Sequence, residues 1–291
     1  MPVTAALVKE LRERTGAGMM DCKKSLTETG GDMEAAIDLM RASGAAKAAK
    51  KSGRVAAEGL VKVNVSADGK IATILEVNSE TDFVTKGDVF IDFVDELGDL
   101  ALKTTPANIE EFLSQTLENG DSLEKARGDI VAKVGENVAI RRVQTLRTDG
   151  IIGAYKHGER IAVLTAITGG EATLAKDIAM HIAASKPECV TAEQLPAELL
   201  EREKAVFVEQ ARESGKPDDI IEKMIGGRMK KFVSEVTLYG QAFVKDPDTT
   251  VGKLVEAAGA EVTAFVRFEV GEGIEKKAEN FADEVMAQIQ A

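Results

Sequence analysis

The sequence predicts an α+β protein with a bundle of three short N-terminal helices, a duplicated core of small antiparallel sheets and helices, a protruding helical hairpin and a C-terminal helix. Three observations predict it. A pair of strand-like runs, Gly59-Leu-Val-Lys-Val-Asn-Val and Gly69-Lys-Ile-Ala-Thr-Ile-Leu, recurs as Gly150-Ile-Ile-Gly-Ala-Tyr and Gly158-Glu-Arg-Ile-Ala-Val-Leu. Each pair is followed by a segment of helical period and later by a helix that feeds a third apolar run. Ahead of both copies, residues 1–50 carry only short apolar stripes punctuated by glycine.

At the N-terminus, Leu7, Val8 and Leu11 form one helical stripe, and Gly16 stands where a left-handed residue would end it. A second short helix carries Cys22 and Leu26 and stops near Gly30-Gly31. Asp32 reads as the N-cap of a third helix with Ala36, Ile37 and Met40 facing inward, closed by Gly44. Of Met19 and Met20, one is expected in the small core and the other outside it, since a flexible thioether serves both as gap-filler and as adaptable contact. Residues 16–20 (Gly-Ala-Gly-Met-Met) together with 29–37 resemble the ubiquitin-associated three-helix bundle, a family in which the first helix connection is a binding surface. Residues 18–23 lack the glycine before lysine that a Walker A loop needs, and 16–21 lack the third glycine of a dinucleotide fingerprint.

Between 41 and 54 stand Arg41, Lys47, Lys50, Lys51 and Arg54, with no acid. The segment reads as a partly helical, solvated tether. A nucleic-acid contact is the alternative, disfavoured because no aromatic residue is interleaved with the charges.

In the main body, the helix after the first hairpin presents Phe90, Phe93, Val94, Leu97 and Ala101, and that after the second presents Leu174, Ile178, His181 and Ser185. Ile130-Val-Ala-Lys-Val-Gly-Glu-Asn-Val-Ala-Ile then matches Leu254-Val-Glu-Ala-Ala-Gly-Ala-Glu-Val-Thr-Ala, a helix returning into a strand. Each half should therefore be a three-stranded antiparallel sheet with helices packed on one face. The offset between copies is 90 at Ile71/Ile161 and 84 at Phe90/Leu174, so the first copy has six extra residues, around Thr81-Asp82-Phe83-Val84. It is 124 at Ile130/Leu254, so the second copy has gained forty residues, placed at 193–235. There Leu199, Leu200, Val206 and Phe207 mark one helix, and Ile220, Ile221, Met224, Ile225, Phe232 and Val233 another. Such a hairpin cannot bury both its faces alone, so it should meet a second chain; packing back on the body is the alternative. The expected units are residues 1–54 (bundle and tether), 55–147 (first core half), 148–192 with 236–270 (second core half), 193–235 (hairpin) and 271–291 (C-terminal module).

Composition limits function. A net charge of -12, no Trp, and only Tyr155 and Tyr239 for base stacking argue against nucleic acid as the main ligand. No apolar run is long enough to span a bilayer, and no signal-peptide pattern opens the chain, so a cytoplasmic protein is expected. Cys22 and Cys189 lack metal-ligand spacing and fit a reducing compartment, with a disulfide as the alternative. His157 and His181, the only histidines, sit in no catalytic motif. His181 falls on an apolar stripe and should be a satisfied, part-buried side chain, whereas His157 lies in a hairpin turn. No metal site or cofactor is expected.

The loop 78–86 is the most informative stretch, with Phe83 set among polar residues and Asp82 beside it. A large ring on a connection either tucks into the core or is offered to a partner. Residues 11–24, Thr81-Asp-Phe-Val, His181-Ile-Ala-Ala-Ser-Lys-Pro187 and Arg267-Phe-Glu-Val-Gly-Glu-Gly-Ile-Glu-Lys276 together resemble the bacterial elongation factor Ts family, in order and from end to end. The resemblance implies a guanine-nucleotide exchange factor that binds elongation factor Tu, expels GDP and lets GTP enter. It implies that the loop Thr81, Asp82, Phe83 and Val84 is pushed in near the GTPase's Mg²⁺. It further makes Arg12, Met19 and Met20 on the bundle, His157 on the second half, and the C-terminal helix (Phe281, Ala282, Val285, Met286, Ile289) contacts for the GTPase, with a homodimer or 2:2 complex through 193–235 as a possibility. A ubiquitin-associated-type binding protein that leaves nucleotide release unchanged is the competing class, followed by a nucleic-acid-binding factor.

Overall fold

A computed structural model describes residues 3–213 and 217–275. Three helices open the chain: α1 (Ala5–Thr15), α2 (Met19–Glu28) and α3 (Met33–Lys51). Thr4 caps the first through its side chain, Asp32 caps the third, and Gly16 ends α1 in the left-handed region at φ 67°. Their small core holds Val8, Leu11, Cys22, Leu26 and Ala36. Met19 and Met20 do not divide between inside and outside. Both are exposed, because α2 turns Cys22, Ser25 and Leu26 inward and leaves its first turn in water.

Nor does α3 stop at Gly44. It runs on to Lys51 and packs against α7 of the first core half, so that Ala48 is buried in that half's core and a Cβ on Gly44 would lie 3.4 Å from Ala132. Alanines fill the segment and carry the helix through the glycine, whose propensity cost of about 1 kcal/mol is smaller than a docked interface returns. The basic segment is therefore a docked helix end as far as Lys51, and only residues 52–57 connect it to the first strand.

The first half comprises β1 (Glu58–Val65), β2 (Ile71–Ser79), α4 (Asp82–Thr85), α5 (Asp88–Thr104), α6 (Ile109–Leu113), α7 (Leu123–Val134) and β3 (Val138–Arg147). The second comprises β4 (Ile151–His157), β5 (Ile161–Thr168), α8 (Ala172–Ser185), α9 (Ala197–Arg212), α10 (Asp218–Val236), β6 (Ala242–Phe243), β7 (Asp246–Thr250), α11 (Val251–Ala257) and β8 (Glu261–Glu269). The sheets are antiparallel with orders β1-β2-β3 and β4-β5-β8, and β6 pairs with β7. Each large sheet carries one register shift, between Glu76 and Val77 in one and Ala166 and Ile167 in the other, the same point of the repeat.

Helices cover one face of each sheet, as expected. The opposite faces cover each other: Val61, Ala72, Ile74 and Leu146 meet Ala162, Leu164, Ala166, Val266 and Phe268 in a shared core. Both central strands are thus buried on two sides, which explains why they read as nearly continuous apolar runs. The close fit of α8 on β4 needs Gly153, since a Cβ there would come within 2.3 Å of the Ala175 backbone.

One buried carboxylate ties the halves together. Glu76, on the sheet–sheet face of β2, has no exposed surface and receives Arg141 at 3.1 Å, Arg142, the Asn78 amide at 3.0 Å and the Gly271 N–H at 2.8 Å. The Arg142 guanidinium lies 4.1 Å over the Phe268 ring of the second half. Beside it, Glu272 pairs with Lys186 at 2.7 Å. Burial raises the Glu272 pKa, but Lys186, Arg142 and Arg267 outweigh that and hold the carboxyl below its usual range. Two of the segments that carried the family resemblance, 181–187 and 267–276, contribute here to holding the halves together.

Cys22 and Cys189 are both free thiols. Among the described residues no helix is long and apolar enough to cross a membrane, and no group of three or more His, Cys, Asp or Glu side chains is placed to hold a metal ion. The expected C-terminal helix, from Phe281 to Ile289, lies outside the described residues.

Candidate functional site

The connection from β2 to α5 spans 80–87, whereas its counterpart from β5 to α8 spans only 169–171. The extra residues form the single turn α4. Thr85 points inward and is buried, and Val84 packs against the first half's core. Phe83, between Asp82 and that inward pair, is left 82% exposed, more than any other large apolar side chain among the described residues.

The turn is built to keep its shape. Thr85 Oγ donates to the Asp82 carbonyl at 2.9 Å. Glu136, just beyond α7, accepts from the Thr81 N–H at 2.9 Å, Thr81 Oγ at 2.6 Å and Ser79 Oγ at 2.9 Å. Glu80 in return accepts from the Asn137 N–H at 2.6 Å and pairs with Arg54 at 3.4 Å. Asn137 also donates to the Arg54 carbonyl at 2.8 Å, and Lys51, at the end of α3, donates to the carbonyl of Gly135. Gly135 itself takes φ 80° to end α7, which turns the chain so that Glu136 faces the loop.

Asp82 does not cap a helix. α5 has Gly87 at its N-cap, and the Asp82 carboxylate instead meets Lys86 Nζ at 2.6 Å. The hydrogen bond and charge of Lys86 hold the carboxyl below the usual carboxylate range, so it is ionised at neutral pH.

The two core halves bring separate parts of the sequence to this place. Asp82, Thr85 and Lys86 line one side of a groove of about 690 Å³ whose other side includes Lys156 near the end of β4 and Glu159 and Arg160 from the turn after it. His157, the last residue of β4, is exposed, with Nδ1 3.4 Å from the Tyr155 hydroxyl. Lysines and carboxylates alternate around the groove in pairs, Lys62 with Asp95, Lys86 with Asp82 and Lys156 with Glu159, which leaves no uncompensated cluster of one sign. Arg12, Met19 and Met20 lie on the bundle and do not line the groove; all three are exposed.

His181 has no place in the site. It is fully buried, its Nδ1 accepts from the Val244 N–H at 3.2 Å and its Nε2 donates to Gln241 Oε1 at 2.9 Å. Burial lowers its pKa against the opposing pull of Gln241, which fixes it as a neutral structural side chain.

Sequence reasoning found the loop but missed Glu136 and Glu80, which hold it. Glu136 stands 55 positions from Thr81, and Glu80, though within the loop, bonds Asn137 57 positions on and Arg54 26 positions back, so no local pattern distinguishes the ties they make.

A model of the Elongation factor TS family matches residues 80–272, a span that begins just after β2 and takes in β3 and the whole second sheet. The chain is 77% identical over 291 residues to Elongation factor Ts of Ruthia magnifica subsp. Calyptogena magnifica, covering 100% of this chain and 98% of that one. Elongation factor Ts of Vesicomyosocius okutanii subsp. Calyptogena okutanii is 67% identical over 290 residues, covering 99% of this chain and 100% of its own. That of Methylococcus capsulatus is 57% identical over 292 aligned positions, with full coverage of both.

Proposed function

The chain belongs to the elongation factor Ts family, and from that membership we propose that it is the guanine-nucleotide exchange factor for elongation factor Tu, acting in translation elongation in the cytoplasm. It binds the GDP form, sets the Asp82–Phe83 turn beside the Mg²⁺ site, releases GDP and Mg²⁺, and leaves the GTPase open to GTP. The observation that carries this reading is the Phe83 ring, 82% exposed on a turn braced from a second segment. A GTPase holds GDP through Mg²⁺, P-loop amides and a lysine set around the phosphates. A ring wedged against the segment that holds the magnesium displaces a ligand and leaves phosphate charge uncompensated. The ionised Asp82 carboxylate, brought near the same segment, competes for its polar partners. By linkage, the ratio by which nucleotide weakens this protein's binding is the ratio by which the protein weakens nucleotide binding. No covalent bond is made or broken, so the function needs no nucleophile and no acid–base pair.

The remaining contacts follow the family. Arg12, Met19 and Met20 on the bundle and His157 on the second half bind the GTPase away from the nucleotide. The α9–α10 hairpin pairs with a second copy, giving a homodimer or a 2:2 complex. Its support is the hairpin itself, in which Ala211 is buried and Phe207 meets Phe232 at 6.4 Å while Val206 and Ile220 stay exposed. The net charge of -12 supports a protein partner over nucleic acid.

Release of a fluorescent GDP from elongation factor Tu, with and without the protein, tests the central proposal. Acceleration to a plateau at saturating protein is expected, and unchanged release would overturn it. Light scattering after replacing residues 200–230 with a short Gly/Ser linker tests the hairpin: the mass of the assembly should fall.

A further inference from the structure

Thr81 occupies the N-cap position of α4, yet its hydroxyl makes no cap bond to that helix. It points away, to Glu136 Oε1 at 2.6 Å, while its own N–H meets Glu136 Oε2 at 2.9 Å. A threonine at a helix start ordinarily bonds the amides of the next residues. Here that local bond is given up for a tie to a remote carboxylate. Ser79 Oγ adds a third bond to the same carboxylate, and Glu80 returns one to the Asn137 N–H at 2.6 Å. Four bonds between 79–81 and 136–137 fix the backbone direction in which α4 leaves Thr81. Phe83 follows two residues later, with nothing of its own to hold it, because its ring touches mostly water.

We propose that Glu136 is a positioning residue for nucleotide exchange: it holds the Asp82–Phe83 turn in its entering geometry before the GTPase is met. The proposal rests on the reading that Phe83 enters the GTPase. Its physical basis is preorganisation, since a turn already ordered in the free protein loses no further freedom on insertion. Glu136 is half-buried and acts through Thr81 rather than through its charge on the nucleotide.

Substitution separates shape from charge. In Glu136→Gln the amide oxygen can accept from the Thr81 N–H and Ser79 Oγ, and the amide nitrogen can donate to Thr81 Oγ, so all three ties survive without the charge. Glu136→Ala removes them. At saturating protein, the plateau rate of GDP release from elongation factor Tu is expected to fall roughly tenfold or more in Glu136→Ala, tenfold being about 1.4 kcal/mol, and to return most of the way in Glu136→Gln. Hydrogen–deuterium exchange of 80–87 in the free protein should quicken in the alanine variant alone. Adding Glu136→Ala to Phe83→Ala should slow release no further, because without the ring there is nothing to position.

A parent-like plateau in Glu136→Ala, with Phe83→Ala still slow, overturns the positioning role and leaves the wedge standing. Parent-like plateaus in both overturn the wedge itself. A Glu136→Gln variant as slow as the alanine one assigns the effect to charge and also overturns the proposal. If Glu136→Ala does not fold, Thr81→Val removes the 2.6 Å tie while keeping the N–H, and must slow the plateau in the same direction.

Discussion

Phe83 stays in water because its neighbours Val84 and Thr85 supply the inward side of the same turn. A ring so placed contributes little to folding. Phe83→Ala should therefore change stability by no more than about 0.5 kcal/mol, as surface substitutions do, instead of the roughly 3–5 kcal/mol of a core phenylalanine. The loss should appear in the plateau of GDP release. Asp82→Ala should behave alike, since its carboxylate caps no helix and pairs with the exposed Lys86. A melting temperature lowered by either change would place the side chain in the fold rather than the interface. His181 gives the opposite kind of residue, buried, neutral and bonded at both ring nitrogens. Its folded pKa lies below the ordinary 6.5. Below that pH the unfolded chain takes up a proton that the folded chain refuses, so stability falls with acidification until the folded pKa is passed. Melting curves between about pH 7.5 and about pH 5.5 should show this slope in the parent and less of it in His181→Gln.

Among the elements, α3 departs most from its reading in the sequence. Glycine at 44 and the basic run after it suggest an end and a tether, but the surface that keeps the helix going belongs to α7, nearly ninety residues away, and no local pattern reports it. The hairpins, the paired helices and the returning strands were legible because each has a period of its own. Legible too was the loop, as an insertion between two aligned copies. What held it was not, because Glu136 and Glu80 act across segments. The docked helix sets an expectation for truncation. Removing residues 1–50 should leave both sheets folded but uncover α7 and delete Ala48 from the first half's core, costing about 2–3 kcal/mol. A melting temperature unchanged by the truncation would return the segment to the status of a free tether. Titration against the GTPase should show weaker binding as well, through the loss of Arg12, Met19 and Met20.

At the scale of the whole molecule, two copies of one unit close on each other through faces that a single copy would leave bare. The repeat extends to the register shift in each sheet, and departs from itself at the centre of the contact, where Glu76 occupies the position of Ala166 in the other copy. The sequence displays that glutamate as one charged residue in a largely apolar strand. Its meaning comes only from Arg141, Arg142 and Gly271, brought together by folding. Glu76→Ala should cost about 3 kcal/mol, since it leaves Arg141 at an interface without its anion and Arg142 with only Glu272, at 3.5 Å. Denaturant unfolding checks it, and a loss below about 1 kcal/mol would mean that the guanidiniums find water instead.

The bond from the Gly271 N–H to Glu76 joins residues 195 positions apart. It sets a timetable for a chain made from its N-terminus. The first sheet is complete once Arg147 has been added, and Arg141 and Arg142 can already neutralise Glu76. The apolar face formed by Val61, Ala72, Ile74 and Leu146 can meet Ala162, Leu164 and Ala166 of β5 soon afterwards, but its cover is complete only with β8 and Gly271, 124 residues after Arg147. At roughly 5–20 residues per second, that interval lasts on the order of 6–25 s. A chain made from its N-terminus thus has an incompletely covered sheet face for longer than a small domain needs to fold, and the long helical hairpin, made in the same interval, prolongs that exposure.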